Sequence, residues 1–220
     1  MSARFLRDPV LEDWAISHGF GVRGAREPAG LVRPRQVHGR AVAEATAHGP
    51  RPLEADAIVS GDPSLPVAVV TADCVPVLVA ARSGRWVAAV HAGWRGLAAG
   101  VVEAGIDALR ERAAGEALRA ALGPYIRPCC YEVDEPVLAG LAARFGDALE
   151  AALHPARAGH ARVDLGVLVR LDLERAGIAP QATGGAAAAC TRCDAQRFHS
   201  YRRDGPRAGR LVHFVHAREP

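Results

Sequence analysis

The chain contains no lysine, no asparagine and only one methionine. All 27 basic residues are therefore arginine, which indicates the coding bias of a GC-rich genome rather than selection for arginine chemistry. With 24 acidic residues the formal net charge is only +3, and the arginines are spread along the chain without a basic tail or stripe. This pattern excludes the usual electrostatic signature of a nucleic-acid-binding protein, so we expect no nucleic acid as a partner.

Long hydrophobic segments are also missing. The most apolar stretch, residues 65–81, contains an aspartate and two prolines and is too short to span a bilayer. Residues 1–30 lack the basic start and apolar run that are typical of a secretory signal. We therefore expect a cytoplasmic protein that does not associate with membranes, and a monomer is compatible with the sequence.

A disulfide framework is a third absence. The chain has five cysteines, an odd number, and Cys129 and Cys130 are adjacent, so a complete set of disulfide pairs cannot form. In a reducing compartment, cysteines together with nine histidines indicate metal binding or catalysis rather than covalent crosslinks.

The composition is that of a folded protein. Half of the residues are hydrophobic and 23% are charged, which is enough apolar surface for a core and excludes intrinsic disorder. A length of 220 residues predicts one domain, residues 1–220. Apolar and β-branched runs predict strands at 55–59, 67–71, 75–81, 86–90, 120–122, 197–202 and 210–216. Helical spacing predicts helices at 97–114, 137–152 and 165–176. Because strands and helices alternate, we predict an α/β or α+β domain.

His91 stands where a strand is predicted to end and a helix to begin, in the segment HAGWRG. Proteins of the α/β class place their sites at the carboxyl ends of strands, and the free N–H groups of a helix start add positive potential there. A buried histidine that is hydrogen-bonded at a turn is the alternative interpretation of His91 alone.

Two further segments carry candidate residues. Asp73 and Cys74 follow an apolar strand, and a buried carboxylate needs a donor or a metal beside it. Asp73 could orient a metal-binding histidine through the ring's far nitrogen. Cys74 taken by itself is more typical of a small core residue. In the segment RQVHG, the alternation of an extended backbone places Gln36 and His38 on one face.

Five segments of the chain occur in the order that is typical of the YfiH, or laccase-domain, family: RQVHG, TADC followed by Val-Pro, HAGWRG, GPYIRPCCYEV, and FHSYRRDG with a later Gly-Arg. The sequence resembles this family from about residue 33 to residue 215. The resemblance implies an α/β (α+β) sandwich with mixed central sheets, similar to the catalytic domain of cytotoxic necrotizing factors. It also implies a zinc-dependent purine nucleoside phosphorylase with adenosine deaminase activity, which takes phosphate and adenosine, inosine, guanosine or methylthioadenosine.

By this resemblance the zinc ligands are His38, Cys74 and His91, and Asp73 joins them in the catalytic group. Three protein ligands leave the fourth tetrahedral position open, as catalytic zinc sites do. Copper is the less favoured metal, because multicopper sites need many clustered histidines and the chain contains no His-x-His pair.

Arginine side chains are the candidates for binding phosphate, because guanidinium matches phosphate oxygens bidentately. Arg95 and Arg202 are predicted in this role, and Gln36 is predicted to contact substrate. Arg203 is predicted by alternation to be a solvated surface charge. His199 is a candidate for the wall of the active site.

Three alternatives remain at this stage. A zinc-free cysteine hydrolase would use Cys74 as nucleophile and His91 as base. A non-catalytic nucleoside-binding protein is the second, because relatives carry a longer stretch before the RQVHG segment. The third is a structural zinc site of two cysteines and two histidines, Cys190, Cys193, His213 and His216. It is disfavoured because strand positions three apart face opposite sides of a sheet.

Overall fold

The computed structural model describes residues 4–185 and 188–219, which form thirteen strands and six α-helices. The strands are β1 (His18–Gly19), β2 (Val42–Thr46), β3 (Gly49–Arg51), β4 (Ala57–Ser60), β5 (Val67–Thr71), β6 (Val75–Ala81), β7 (Val87–Ala92), β8 (Leu118–Leu122), β9 (Glu132–Val133), β10 (Leu153–Pro155), β11 (Ala161–Val163), β12 (Thr183–Gly184) and β13 (Leu211–Val215). The α-helices are α1 (Pro9–Glu12), α2 (Trp94–Ala99), α3 (Val101–Arg112), α4 (Glu135–Phe145), α5 (Leu165–Arg175) and α6 (Tyr201–Asp204). None of the described helices is long and apolar enough to cross a membrane.

The strands form one large mixed sheet and two small ones. The seven-stranded sheet has the order β12-β8-β6-β7-β4-β2-β3, and its pairs β12–β8 and β2–β4 are parallel. The smaller sheets have the orders β1-β13-β5 and β10-β11-β9 and are antiparallel throughout. Because β4 and β6 both run antiparallel to β7, their first residues lie at the same edge of the sheet as the end of β7.

Side chains alternate across the large sheet and fill a separate core on each face. In β6, Val77 and Val79 pack in the core formed with helices α2 to α5. Leu78 and Ala80 point the other way, into a core shared with β5, β13 and α1. The molecule therefore has three layers, and the predicted α/β sandwich with mixed central sheets is confirmed.

The predicted helix at 97–114 is two helices, because Gly100 interrupts it with a left-handed backbone conformation, φ +85°. A Cβ at this position would approach the Arg144 guanidinium to 2.9 Å, so the break also provides space for that side chain. The predicted helix at 137–152 is α-helical only to Phe145, after which Gly146–Ala152 is a 3-10 helix.

The strand predicted at 197–202 is wrong. Ser200 instead begins the short helix α6, and its hydroxyl accepts a hydrogen bond from the Arg203 N–H. The buried carboxylate of Asp73 accepts hydrogen bonds from the Ser200 hydroxyl and the Arg202 N–H, and these contacts replace a strand ladder.

Candidate functional site

His38, Cys74 and His91 converge at one edge of the large sheet, with their ligand atoms within 4.8 Å of one another. His91 is the penultimate residue of β7, and Cys74 immediately precedes β6. His38 comes from the loop before β2, which is parallel to β4 and begins at the same edge. The topology therefore assembles three residues that are far apart in the sequence.

Asp56 holds two of these residues in place, and it is fully buried just before β4. Its Oδ1 accepts hydrogen bonds from the His91 Nδ1 at 2.8 Å and the His38 N–H at 2.9 Å. Its Oδ2 accepts from the N–H groups of Val37 and Gly39 at 3.2 Å and 2.7 Å. The Nδ1 contact leaves Nε2 as the free ligand atom of His91, which is the carboxylate–histidine arrangement common around protein metals.

The carboxylate that orients His91 is therefore Asp56, not Asp73 as the sequence predicts. Burial opposes ionisation of Asp56, but the hydrogen bonds from His91 and Gly39 outweigh it and lower the pKa below its usual range. Asp56 is thus a charged acceptor at neutral pH, and it favours the tautomer of His91 in which Nδ1 carries the proton.

The loop that carries His38 is strained and anchored on both sides. His38 has a positive φ of +60°, which costs a non-glycine residue about 1 kcal/mol or more. Beside it, Gln36 donates a hydrogen bond to the Val70 carbonyl at 2.8 Å and accepts one from the Val70 N–H at 2.7 Å. Both polar ends of Gln36 are thereby engaged by β5, so Gln36 anchors this loop.

Asp73 is also anchored, although its partners lie away from the histidines. Its side chain accepts hydrogen bonds from the hydroxyls of Thr191 and Ser200 at 2.6 Å and 3.1 Å, and from the Arg202 N–H at 2.7 Å. Its backbone has a positive φ of +107°. Asp73 therefore fixes the turn that presents Cys74, and its hydrogen bonds connect this turn to the segment 191–202.

Cys74 and His91 shift each other's pKa strongly. Burial opposes the thiolate, but His91 and a hydrogen bond from His38 lower the pKa of Cys74 to about 6. Burial likewise opposes the imidazolium, but Cys74 and Asp56 raise the pKa of His91 to about 9. Both shifts favour a thiolate next to an imidazolium in the metal-free site, and metal binding would release the imidazolium proton.

The donor set fits a single metal ion. Two imidazoles and one thiolate suit zinc, and they leave one tetrahedral position for water or substrate. Gly93 provides the room for this set, because a Cβ there would lie 2.9 Å from the Cys74 Sγ and 3.2 Å from the His38 Cδ2. The glycine at the start of α2 is therefore a steric requirement of the site.

We expect Gly93→Ala to lower the affinity for zinc by about tenfold or more, because its Cβ displaces Cys74 and His38 from a common centre. Competition with a chromophoric chelator measures this affinity. Gly39→Ala is the matched control, since its Cβ meets Asp56 and Val37 at an ordinary 3.7 Å. An unchanged affinity in Gly93→Ala would mean that the two side chains do not share one ion.

The three residues lie in the wall of a cavity of about 630 Å³, which is within the usual size range for small-molecule sites. Strand β5 of the small sheet β1-β13-β5 contributes Val70 and Thr71 to the cavity wall. The exposed Tyr201 ring at the start of α6 adds an aromatic face. The remaining lining residues are Arg33, Pro34, Arg35, Gln36, Ala72, Arg95 and Arg210.

Two of the four arginines in this cavity are free to meet an anion. Arg33 and Arg35 form ion pairs with neighbouring glutamates. Among the described residues, Arg95 and Arg210 have no carboxylate partner; Arg95 stacks over the Trp94 ring at 4.6 Å, and Arg210 donates only to backbone carbonyls. These two guanidiniums are therefore the arginines of the described cavity wall that no carboxylate pairs.

Arg202, the other predicted phosphate ligand, lies in a separate surface depression beside Glu132. Its guanidinium donates to the Glu132 carbonyl at 2.8 Å and lies over the Tyr131 ring. Arg203 is not the solvated surface charge that alternation predicts, because it binds the carbonyls of Thr191 and Phe198 and the carboxylate of its neighbour in the chain.

The remaining histidines that the sequence singles out lie elsewhere. His199 lines another depression, with Arg23 and Asp204. The ring of the buried His213 bonds the Thr71 hydroxyl and the Gly21 N–H, and burial lowers its pKa to about 3. His216 bonds the Pro63 carbonyl. The alternative of a structural zinc site formed by Cys190, Cys193, His213 and His216 is therefore wrong.

Comparison with known proteins identifies the family. The sequence model of the multi-copper polyphenol oxidoreductase laccase family matches residues 21–218. A Pseudomonas aeruginosa protein named purine nucleoside phosphorylase is 42% identical over 180 residues, which cover 82% of this chain and 71% of that protein. The purine nucleoside phosphorylase YfiH of Escherichia coli is 38% identical over 188 residues, which cover 86% of this chain and 74% of that protein.

A crystal structure of a Bacillus licheniformis hypothetical protein named YfiH aligns with a TM-score of 0.84 and 25% identity, covering 94% of this chain and 95% of that one. The similarity to these proteins in sequence and in fold thus extends over most of the chain. The chain therefore belongs to the YfiH family of laccase-domain proteins.

Proposed function

We propose that this protein is a zinc-dependent purine nucleoside phosphorylase that also deaminates adenosine, and that His38, Cys74 and His91 are its zinc ligands. The observation that carries the proposal is their convergence in the wall of a cavity that also exposes the unpaired guanidiniums of Arg95 and Arg210. Relatives that are named purine nucleoside phosphorylase support the same reaction class.

Zinc is the metal that the donor set favours. When bound, it would act as a Lewis acid and lower the pKa of a water ligand to about 7. The family description mentions several coppers, but within residues 4–185 and 188–219 only one group of potential ligands contains histidine. Reconstituting the metal-free protein with zinc or copper in parallel tests this choice, and activity with copper alone would overturn it.

The residues of the chain supply the remaining parts of phosphorolysis. Arg95 and Arg210 can bind the phosphate that attacks C1′ of the ribose, and their charges offset that of the anion. The Tyr201 ring and Val70 give the purine and ribose apolar surface to pack against. The bond from C1′ to the purine breaks as the bond to phosphate forms, so the products are free base and ribose 1-phosphate.

The direct test is a product analysis with purified protein and adenosine. We expect adenine to accumulate only when phosphate is present, with one ribose 1-phosphate for each adenine and inosine as a second product. Adenine that forms at the same rate without phosphate would mean hydrolysis instead. Inosine, guanosine and methylthioadenosine are the further substrates to assay.

Replacing either free arginine should weaken phosphate binding. We expect Arg95→Gln and Arg210→Gln each to raise KM for phosphate by about tenfold or more, since each loses a charge-assisted hydrogen bond. Arg202→Gln is the matched control, because its guanidinium lies in the separate depression. Initial rates over a phosphate titration measure the effect, and a larger KM change in Arg202→Gln would reverse the assignment.

A zinc-free cysteine hydrolase is the second candidate, and the Asp56–His91–Cys74 arrangement favours it. Asp56 orients the imidazole, which faces the Cys74 thiol, as in a nucleophilic triad. In that mechanism His38 would only support the Cys74 thiolate through a hydrogen bond, whereas it is an indispensable ligand in the zinc mechanism, so it is the residue that separates the two functions.

A further inference from the structure

A second group of metal-binding side chains lies outside the proposed zinc centre. The Sγ atoms of Cys129, Cys130, Cys190 and Cys193 all lie within 4.8 Å of one another. Cys129 is 3.8 Å from Cys130 and 3.7 Å from both Cys190 and Cys193, and Cys130 is 3.4 Å from Cys193. All four are free thiols, and Cys129 and Cys193 are exposed to solvent.

Two facing turns bring these thiols together. The N–H of Cys130 bonds the Arg127 carbonyl at 2.8 Å, and this turn places two adjacent cysteines on the same side. An extended backbone would point them in opposite directions. A bridge between Tyr125 and Cys190 holds the second turn, which contains Cys190 and Cys193, beside the first.

We propose that these four cysteines bind one structural zinc ion. A zinc–sulfur bond of about 2.3 Å in a tetrahedron places the sulfurs about 3.8 Å apart. Four of the six separations are 3.4–3.8 Å, close to that edge, and the other two are within 4.8 Å. Four protein ligands close the coordination sphere, which distinguishes a structural zinc site from a catalytic one. Four thiolates in a tetrahedron bind zinc or iron, so iron in place of zinc at this cluster would overturn the choice of metal.

Several hydrogen-bond donors surround the sulfurs of the cluster. The N–H of Arg127 points at the Cys190 sulfur from 3.5 Å, and the Cys193 N–H also donates to it. The Arg192 guanidinium hydrogen-bonds the sulfur of Cys130. Such donors offset the negative charge of a zinc ion with four thiolates, as outer groups do around other metal sites.

Zinc at this cluster would crosslink a part of the chain that contains little regular secondary structure. Apart from a two-residue strand and a four-residue helix, the described residues from 183 to 204 form turns and loops. A metal crosslink supplies stability that a small apolar core does not. Between the cysteines of the second turn, Thr191 donates to Asp73, and Ile126 near the first turn donates its N–H to the Asp73 carbonyl. The cluster therefore braces the segment that presents Cys74.

Metal counting separates this site from the proposed catalytic one. The full chain is prepared under reducing conditions in zinc-containing medium, and zinc is measured by mass spectrometry. We expect about two zinc ions per chain in the wild type, and about one each in Cys74→Ala and in Cys190→Ser/Cys193→Ser. X-ray absorption of Cys74→Ala should show four sulfur neighbours at about 2.3 Å, which no site with histidines can give.

Two further measurements guard against a folding artefact. Cys193→His keeps a zinc ligand at this position and should still bind the second zinc ion, whereas Cys193→Ser should not. Zinc removal from Cys74→Ala by a chelator should lower its Tm. One zinc in the wild type that persists in Cys190→Ser/Cys193→Ser would overturn the second site while leaving the catalytic one intact. Disulfides among the four cysteines without metal, in protein supplied with zinc and reductant, would also overturn it.

Discussion

Replacing His38 by alanine should abolish phosphorolysis, with a fall in kcat/KM for adenosine of about 10³-fold or more and loss of the catalytic zinc. His38 is one of the three proposed zinc ligands, and it is the most exposed residue of the three. The backbone N–H that bonds Asp56 stays in the alanine variant, so the loop keeps its anchor. The loss of activity and of zinc would therefore be due to the missing imidazole and not to a change in the fold.

The same variant decides between the two candidate functions. A cysteine hydrolase would keep activity in His38→Ala, reduced only by the lost hydrogen bond from His38 to Cys74, because Cys74, His91 and Asp56 are untouched. It would lose all activity in Cys74→Ala. His48→Ala, at an exposed position in the turn between β2 and β3, is the matched control and should behave as the wild type. Phosphorolysis at the wild-type rate in His38→Ala, with full zinc content, contradicts the ligand assignment.

The strands of the central sheet could be predicted from the sequence, but their order could not. Buried β-branched runs mark β5 and β6 because both lie in apolar cores. Local patterns do not encode which strand edges meet, and the candidate metal ligands come together only through the pairing of β6 and β4 with β7. Resemblance to a family was therefore needed to group them.

Asp56 and Arg210 were missed for different reasons. Asp56 lies at the amino end of β4. Site residues were expected at the carboxyl ends of strands, so Asp56 was not among the candidates. Arg210 stands in a recognised motif, but it is one of 27 arginines, and composition does not separate a free guanidinium from a paired one. The sequence does contain a signal for Asp56, because it stands within the apolar run 55–59. A carboxylate that is buried there requires several hydrogen-bond donors, which indicates a structured site around it.

Asp56→Asn should have the second-largest effect, on both metal affinity and stability. If the amide oxygen replaces Oδ1, it keeps the bonds from His38 and His91, but the NH₂ group then faces the N–H groups of Val37 and Gly39. If the amide is turned round, its NH₂ faces the His91 Nδ1. That orientation favours the tautomer with the proton on Nε2, the atom needed for the metal. Either orientation leaves buried donors without an acceptor.

We expect Asp56→Asn to lower zinc affinity by about 10–100-fold, as the loss of a carboxylate behind a metal-bound histidine does. Without metal, the free energy of unfolding should fall by about 2–4 kcal/mol, because each unsatisfied buried group costs about 1–3 kcal/mol. Denaturant titrations with and without saturating zinc separate the two effects, since the stability added by bound zinc grows with the logarithm of its affinity. Asp107→Asn, on the exposed face of α3, removes the same charge and should change neither quantity. Equal behaviour of the two variants would show that Asp56 orients neither the His38 loop nor the imidazole of His91.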